Sequence, residues 1–299
     1  MGRSLQAIIN EFTTQVDSQD LVIDLASLIG VATFLATLYY LIPIDIQRSL
    51  AFNHRDPSIQ SVWTHVLVHQ HRPGDGHLIG NLKGYFQVVI PAWLLCLTRG
   101  QRRRFWLLFG SLLVLGPPVF AGFSYLILDI VLGVSPRFDR GFSAVVGGLA
   151  GVLLILAFEV IDEEMEPHDG YQLLLIIGSV LAASVALNQD GFARIAMFVA
   201  SGGCLAAYAV GIATGKLATV DSLAEWAREN PLNTFLLGVG LFFAMNVFVG
   251  SLPGEWIRED SVVNIFGHAA GLVFGTLATW IIGDGFPESE TVPPMFRKL

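Results

Sequence analysis

Residues 138–151 read FDRGFSAVVGGLAG and open an apolar run that continues to Ile161. The run 142–161 has the length, about 20 residues, that an α-helix needs to cross roughly 30 Å of hydrocarbon. One hydroxyl, Ser143, stands at its mouth, directly after Arg137, Asp139 and Arg140. Gly147 and Gly151 are four residues apart and share a face, which allows a second helix to approach closely. The stretch therefore predicts a membrane-spanning helix with a polar group at its surface end and a tightly packed neighbour.

The rest of the chain is built the same way. Further apolar runs lie at 21–45, 77–98, 105–133, 171–188, 193–214, 232–252 and 262–283. With 142–161 they predict an all-α polytopic membrane protein of about eight transmembrane helices. Only 14% of the 299 residues are charged and 53% are hydrophobic, whereas soluble domains are about a quarter charged. Breaks such as TRGQRRR (98–104) and SLPGEWIREDS (251–261) separate the runs. Pro117 and Pro118 should kink the third. SLAEWAREN (222–230) reads as a short surface helix with a capping box from Ser222 to Glu225.

These readings divide the chain into a cytoplasmic segment 1–20, a transmembrane domain 21–284 and a cytoplasmic tail 285–299. The first twenty residues are too polar for a cleavable signal peptide, so the first run is expected to be a retained span. The net charge of -8 argues against nucleic acid as a partner. Cys96 and Cys204 fall in apolar runs and imply no disulfide framework. Arg99, Arg102, Arg103 and Arg104 crowd one turn with no acid beside them in the sequence. That turn is expected on the cytoplasmic side, which places both termini there and Ser143 at the outer side.

Polar groups inside such a bundle are costly and mark function. His268 lies in VVNIFGHAAGLVFG (262–275), six residues or ~9 Å beyond Val262. Gly267, Gly271 and Gly275 repeat every four residues on that run, so Ser143 and His268 can meet if the two helices touch. His77 and Asn81, four apart in HLIGN (77–81), share one helical face and can both donate to a single anion. Lys83, roughly 200° round that helix from Asn81, should point away. No acid within the spans is expected as a third partner for His268, so a serine–histidine dyad fits better than a triad.

WTHVLVH (63–69), HLIGN (77–81), GFSA (141–144) and GHAAGLVFG (267–275) occur in this order. The chain thereby resembles the rhomboid intramembrane serine proteases over most of its length. The resemblance implies a six-helix core, here extended by a transmembrane hairpin, in the cell membrane. It implies Ser143 as nucleophile, His268 as general base, and His77 and Asn81 with the Ser143 N–H as the oxyanion hole. His65 and His69 would be structural residues beneath the outer loop, with Gly141 and Gly271 structural near the site. Substrates would be transmembrane segments of other proteins, with helix-destabilising residues and a small residue before the cut, and no cofactor or metal is implied.

The sequence also departs from the family. Ala144 replaces the usual glycine after the serine, and Gly147 stands where an aromatic residue is expected to pack on the base. The Trp-Arg pair of the first outer loop is missing, and about three residues are inserted before His77. Three runs, not one, lie between the serine and histidine helices, and 232–252 is preferred as the family's fifth helix. Two rival classes use the same residues: a catalytically inactive rhomboid-like binder of membrane proteins, and a metal-dependent hydrolase using His65, His69 and His71 with His77 or His268. A transporter is the weakest rival, since no inverted repeat is visible.

Overall fold

A computed structural model describes residues 18–71, 75–134, 136–164, 191–214, 220–250, 257–258, 261–262 and 264–284, with isolated positions between 175 and 187. The run 171–188 and both tails lie largely or wholly outside these residues. α1 (Ser18–Leu41) stops short of the expected boundary at 45, because Pro43 cannot continue the helix. In α2 (Ile44–Leu50), Gln47 turns its amide back onto the carbonyls of Leu38, Tyr39 and Ile42. It thus ties the end of α1 to α2, adding a donor at carbonyls of the last helical turn, where acceptors run short of helical partners. α3 (Ile59–Thr64) starts at a reciprocal cap between Ser58 and Ser61 and leads into a 3-10 turn over His65–Leu67.

α4 (Gly76–Thr98) is the second span. The third run breaks into α5 (Arg102–Val114) and α6 (Gly116–Tyr125), bent by 42°, and α6 continues as a π-helical turn over Leu126–Val131. Pro117 and Pro118 lie in the first turn of α6, so the expected kink falls at their N-terminal side. Pro118 has no N–H for the carbonyl of Val114, and the Trp63 indole N–H donates to that carbonyl at 3.1 Å instead.

α7 (Ser143–Glu164) is the centre of the bundle, with α4, α5, α6, α10 (Pro231–Gly250) and α11 (Ile265–Asp284) packed around it. Its Val145, Leu149, Val152, Leu153, Leu156 and Val160 are all buried. α7 and α11 form the closest pair: a Cβ on Gly271 would run into the Ala144 carbonyl, and one on Gly275 into that of Gly148. The small-residue faces therefore meet, with backbone against backbone. α8 (Gly191–Ala213) packs against no other described helix to a comparable extent. α9 (Val220–Glu229) begins two residues before Ser222. Ser222 consequently has helical backbone and is not the expected cap, which requires a residue outside the helix. A two-strand hairpin, β1 (Ile257–Arg258) with β2 (Ser261–Val262), precedes α11.

The arginine turn is not the acid-free patch that its sequence neighbours implied. Arg104 is buried and forks onto Glu159 of α7 at 2.6 and 2.7 Å, while also donating to the Thr279 carbonyl of α11 at 3.0 Å. Arg102 binds Asp24, a fully buried acid of α1 that also accepts from the Trp93 and Trp106 indoles. Arg99 pairs with Glu163. Charged groups in apolar surroundings persist when paired in this way.

Four helices, α1, α4, α7 and α11, are long and apolar enough to cross a membrane, or five spans if bent α5–α6 counts as one. Ser201–Ala213 and Pro231–Val247 are shorter apolar helices. The chain is a helical membrane protein, and the described residues carry fewer full-length spans than the eight expected.

Candidate functional site

Ser143 is the first residue of α7, and His268 is the fourth of α11. His268 Nε2 lies 2.7 Å from Ser143 Oγ, a full hydrogen bond between the two groups. α11 starts at Ile265, not Val262, so His268 sits only ~4.5 Å along its helix, nearer the end than expected. Gly147 explains how the pair meets without the aromatic neighbour. A Cβ there would come 2.9 Å from the His268 carbonyl oxygen, so the helix backbones fill the space a ring would need.

The segment leading to Ser143 is held from below by two histidines. The Gly141 N–H donates to the His65 carbonyl at 3.0 Å, and the Phe142 N–H points at His69 Nε2 at 3.4 Å. Both rings are buried, and burial pushes their pKa values down, that of His69 to about 3 with His77 adding to the effect. His69 is therefore neutral, which its acceptor role requires. His65 is neutral too and uses Nδ1 on the Ser61 and Val62 carbonyls at 3.2 and 3.0 Å.

His77 and Asn81, one turn apart on α4, converge on Gly141. A Cβ at Gly141 would lie 2.8 Å from His77 Nε2 and 3.4 Å from Asn81 Nδ2. Its φ of +127° is a second reason for glycine there. The Gln70 N–H donates to His77 Nδ1 at 3.3 Å, which leaves the proton of a neutral ring on Nε2, the atom facing Gly141. Asn81 Nδ2 is buried and has no hydrogen-bond partner among the described residues. An unpaired buried donor costs stability, so it is a feature that calls for a functional explanation. The Ser143 N–H, in the first turn of α7, has no partner within the helix, and the helix dipole adds positive potential there. His77 Nε2 and Asn81 Nδ2 thus lie beside Gly141, two residues before a hydroxyl that a histidine can deprotonate. Lys83 is exposed and takes no part.

The metal constellation is not assembled. Among the described residues no three His, Cys, Asp or Glu side chains are placed to hold an ion. His71 stacks on Tyr39 at 4.0 Å and meets Gln47 Oε1 at 3.2 Å.

Several polar residues around the site escaped the sequence reading. His54 bonds Asp129 at 2.5 Å, both largely buried. Tyr39 and Tyr40 hold Asp75 at the start of α4. Asp139, Ser124 and Asn264 form a third group at the mouth of the site. Asn264 alone carried a legible signal, an asparagine directly before an apolar periodic run.

Comparison with known protein families, with curated proteins and with solved structures finds no match to this chain. Fold and site together define a helical membrane protein with a hydrogen-bonded serine–histidine pair at one end of its central helix.

Proposed function

We propose that the chain is an intramembrane serine endopeptidase of the rhomboid type, which hydrolyses peptide bonds in or beside the transmembrane segments of other membrane proteins. The observation that carries this reading is the 2.7 Å contact of His268 with Ser143, together with a buried Asn81 Nδ2 that has no hydrogen-bond partner among the described residues. His268 takes the Ser143 proton as Oγ attacks the substrate carbonyl. The oxyanion is met by Asn81 Nδ2, His77 Nε2 and the Ser143 N–H, and His268 then protonates the leaving amine. Water repeats the sequence to release the acyl group. A substrate helix must unwind locally, because its carbonyls are engaged until it does.

In this reading α10, packed against α4 and α7, is the family's fifth helix. α8 and the run 171–188 are the added hairpin, which gives eight spans with both termini cytoplasmic and the site at the outer side. The test is a fluorophosphonate probe on the purified protein, with the modified residue mapped by mass spectrometry. Labelling at Ser143, lost in Ser143→Ala together with cleavage of a reporter transmembrane substrate, is expected. Wild-type cleavage rates in pure Ser143→Ala protein would refute the assignment.

A further inference from the structure

Ser143 and His268 stand on different helices, and each has a polar side chain four residues before it: Asp139 before the serine, Asn264 before the histidine. These two side chains bond to each other, Asn264 Nδ2 donating to Asp139 Oδ2. Neither end is loose. The Asp139 backbone pairs with Phe52 in both directions, at 3.0 and 2.8 Å, and its carboxylate also accepts from Ser124 Oγ of α6 at 3.2 Å. Ser124 is fully buried and accepts from Asn264 Nδ2 at 2.6 Å. Asn264 in turn caps α11: its Oδ1 accepts from the Gly267 N–H at 2.8 Å. Gly267 leaves room for this, since a Cβ there would lie 2.8 Å from Asn264 Nδ2.

We propose that the Asp139–Asn264 pair is a positioning clamp that sets the separation of Ser143 and His268. The inference rests on the reading of those two residues as the reacting pair. The amide joins the loop feeding α7 to the first turn of α11, one helical turn from each reacting group. The glycine contacts set how closely the two helices approach but leave them free to slide, whereas a directional bond at the mouth sets their relative depth. Slippage of about 1 Å between reacting groups can cost roughly a hundredfold in rate.

The experiment measures the rate of Ser143 phosphonylation and the kcat and KM for a reporter substrate, in wild type, Asn264→Asp, Asp139→Asn and the double variant. Asn264→Asp keeps a good helix cap but turns the donor into a second carboxylate facing Asp139. It is expected to slow labelling and kcat at least about tenfold with KM little changed. The double variant exchanges donor and acceptor, and is expected to recover to within a few-fold of wild type. If Asn264→Asp does not accumulate, Asp139→Ala removes the acceptor and leaves the cap, and the same loss of labelling is expected. Asn264→Asp protein that labels at the wild-type rate overturns the clamp, as does a double variant no faster than Asn264→Asp; Asp139→Asn keeps an acceptor oxygen for the Asn264 amide and is the control expected to stay near the wild-type rate. A wild-type protein that takes no label at Ser143 overturns the Ser143–His268 reading itself and the clamp with it.

Discussion

The unusual residue is Asn81. Its Nδ2 is buried with no hydrogen-bond partner among the described residues, beside a His77 ring whose Nε2 also faces Gly141. The proposed chemistry gives the Asn81 amide an acceptor when negative charge develops on the substrate, with the His77 ring beside it. Removing one such donor costs about a hundred- to a thousandfold in a serine protease, and less where the charge is shared. We expect Asn81→Ala to lower kcat by roughly ten- to a hundredfold with KM little changed, while the thermal midpoint moves little. Unchanged kcat would show that this face of α4 is structural. Asn81 and His77 were legible in the sequence because their spacing of four is a helical spacing. The donor state of His77 was not, because it depends on the Gln70 N–H in a different segment.

At the scale of elements, the α7–α11 contact determines whether the pair exists at all. The repeats Gly147, Gly151 and Gly271, Gly275 announced a close helix pair, and the backbones do close onto each other. Gly271→Ala places a methyl group against the Ala144 carbonyl, beside Ser143. Overpacking of this kind costs about 1–3 kcal/mol. A lower thermal midpoint in detergent, with slower fluorophosphonate labelling of Ser143, is the expected result; a variant as stable and as reactive as wild type would mean the helices can part without consequence. At the far end, Arg104 ties α5, α7 and α11 together through Glu159 and Thr279. No local pattern reveals this, since Arg104 and Thr279 are 175 residues apart.

For the whole molecule, two outcomes follow from how the ends of the bundle differ. Burial holds the pKa of His69 at about 3 and that of His65 below its ordinary value of 6.5. Below pH 6.5 the unfolded chain takes up protons that the folded protein refuses, so stability is full above that pH and is lost as pH falls toward 3. Each such histidine contributes a slope of at most about 1.4 kcal/mol per pH unit. The thermal midpoint should therefore drop between pH 7 and 5, and His69→Gln should flatten the profile; an equally steep profile in that variant would refute the assignment to His69. The arginine turn and the Ser143 loop occupy opposite ends of α4, since His77 lies beside Gly141 and Arg99 follows Thr98. In a background lacking Cys96 and Cys204, an impermeant maleimide should label Gln101→Cys and Arg137→Cys from opposite sides, position 101 from the cytoplasm. Labelling of both from the same side would contradict this arrangement.

By itself the sequence determined that the chain is a helical membrane protein, where its main breaks fall, and which few polar residues could do chemistry. Those properties follow from composition, from the length needed to cross a bilayer and from the helical repeat, all of which are local. Tertiary structure alone decided that Ser143 and His268 touch, that Arg99, Arg102 and Arg104 are paired with acids from α1 and α7, and that Asp139 meets Asn264. Each of these joins residues far apart along the chain. Burial makes this sharpest at Asp24 and Arg104: away from water, a polar group must find its partner within the protein, and only the packing of the helices determines which partner is within reach.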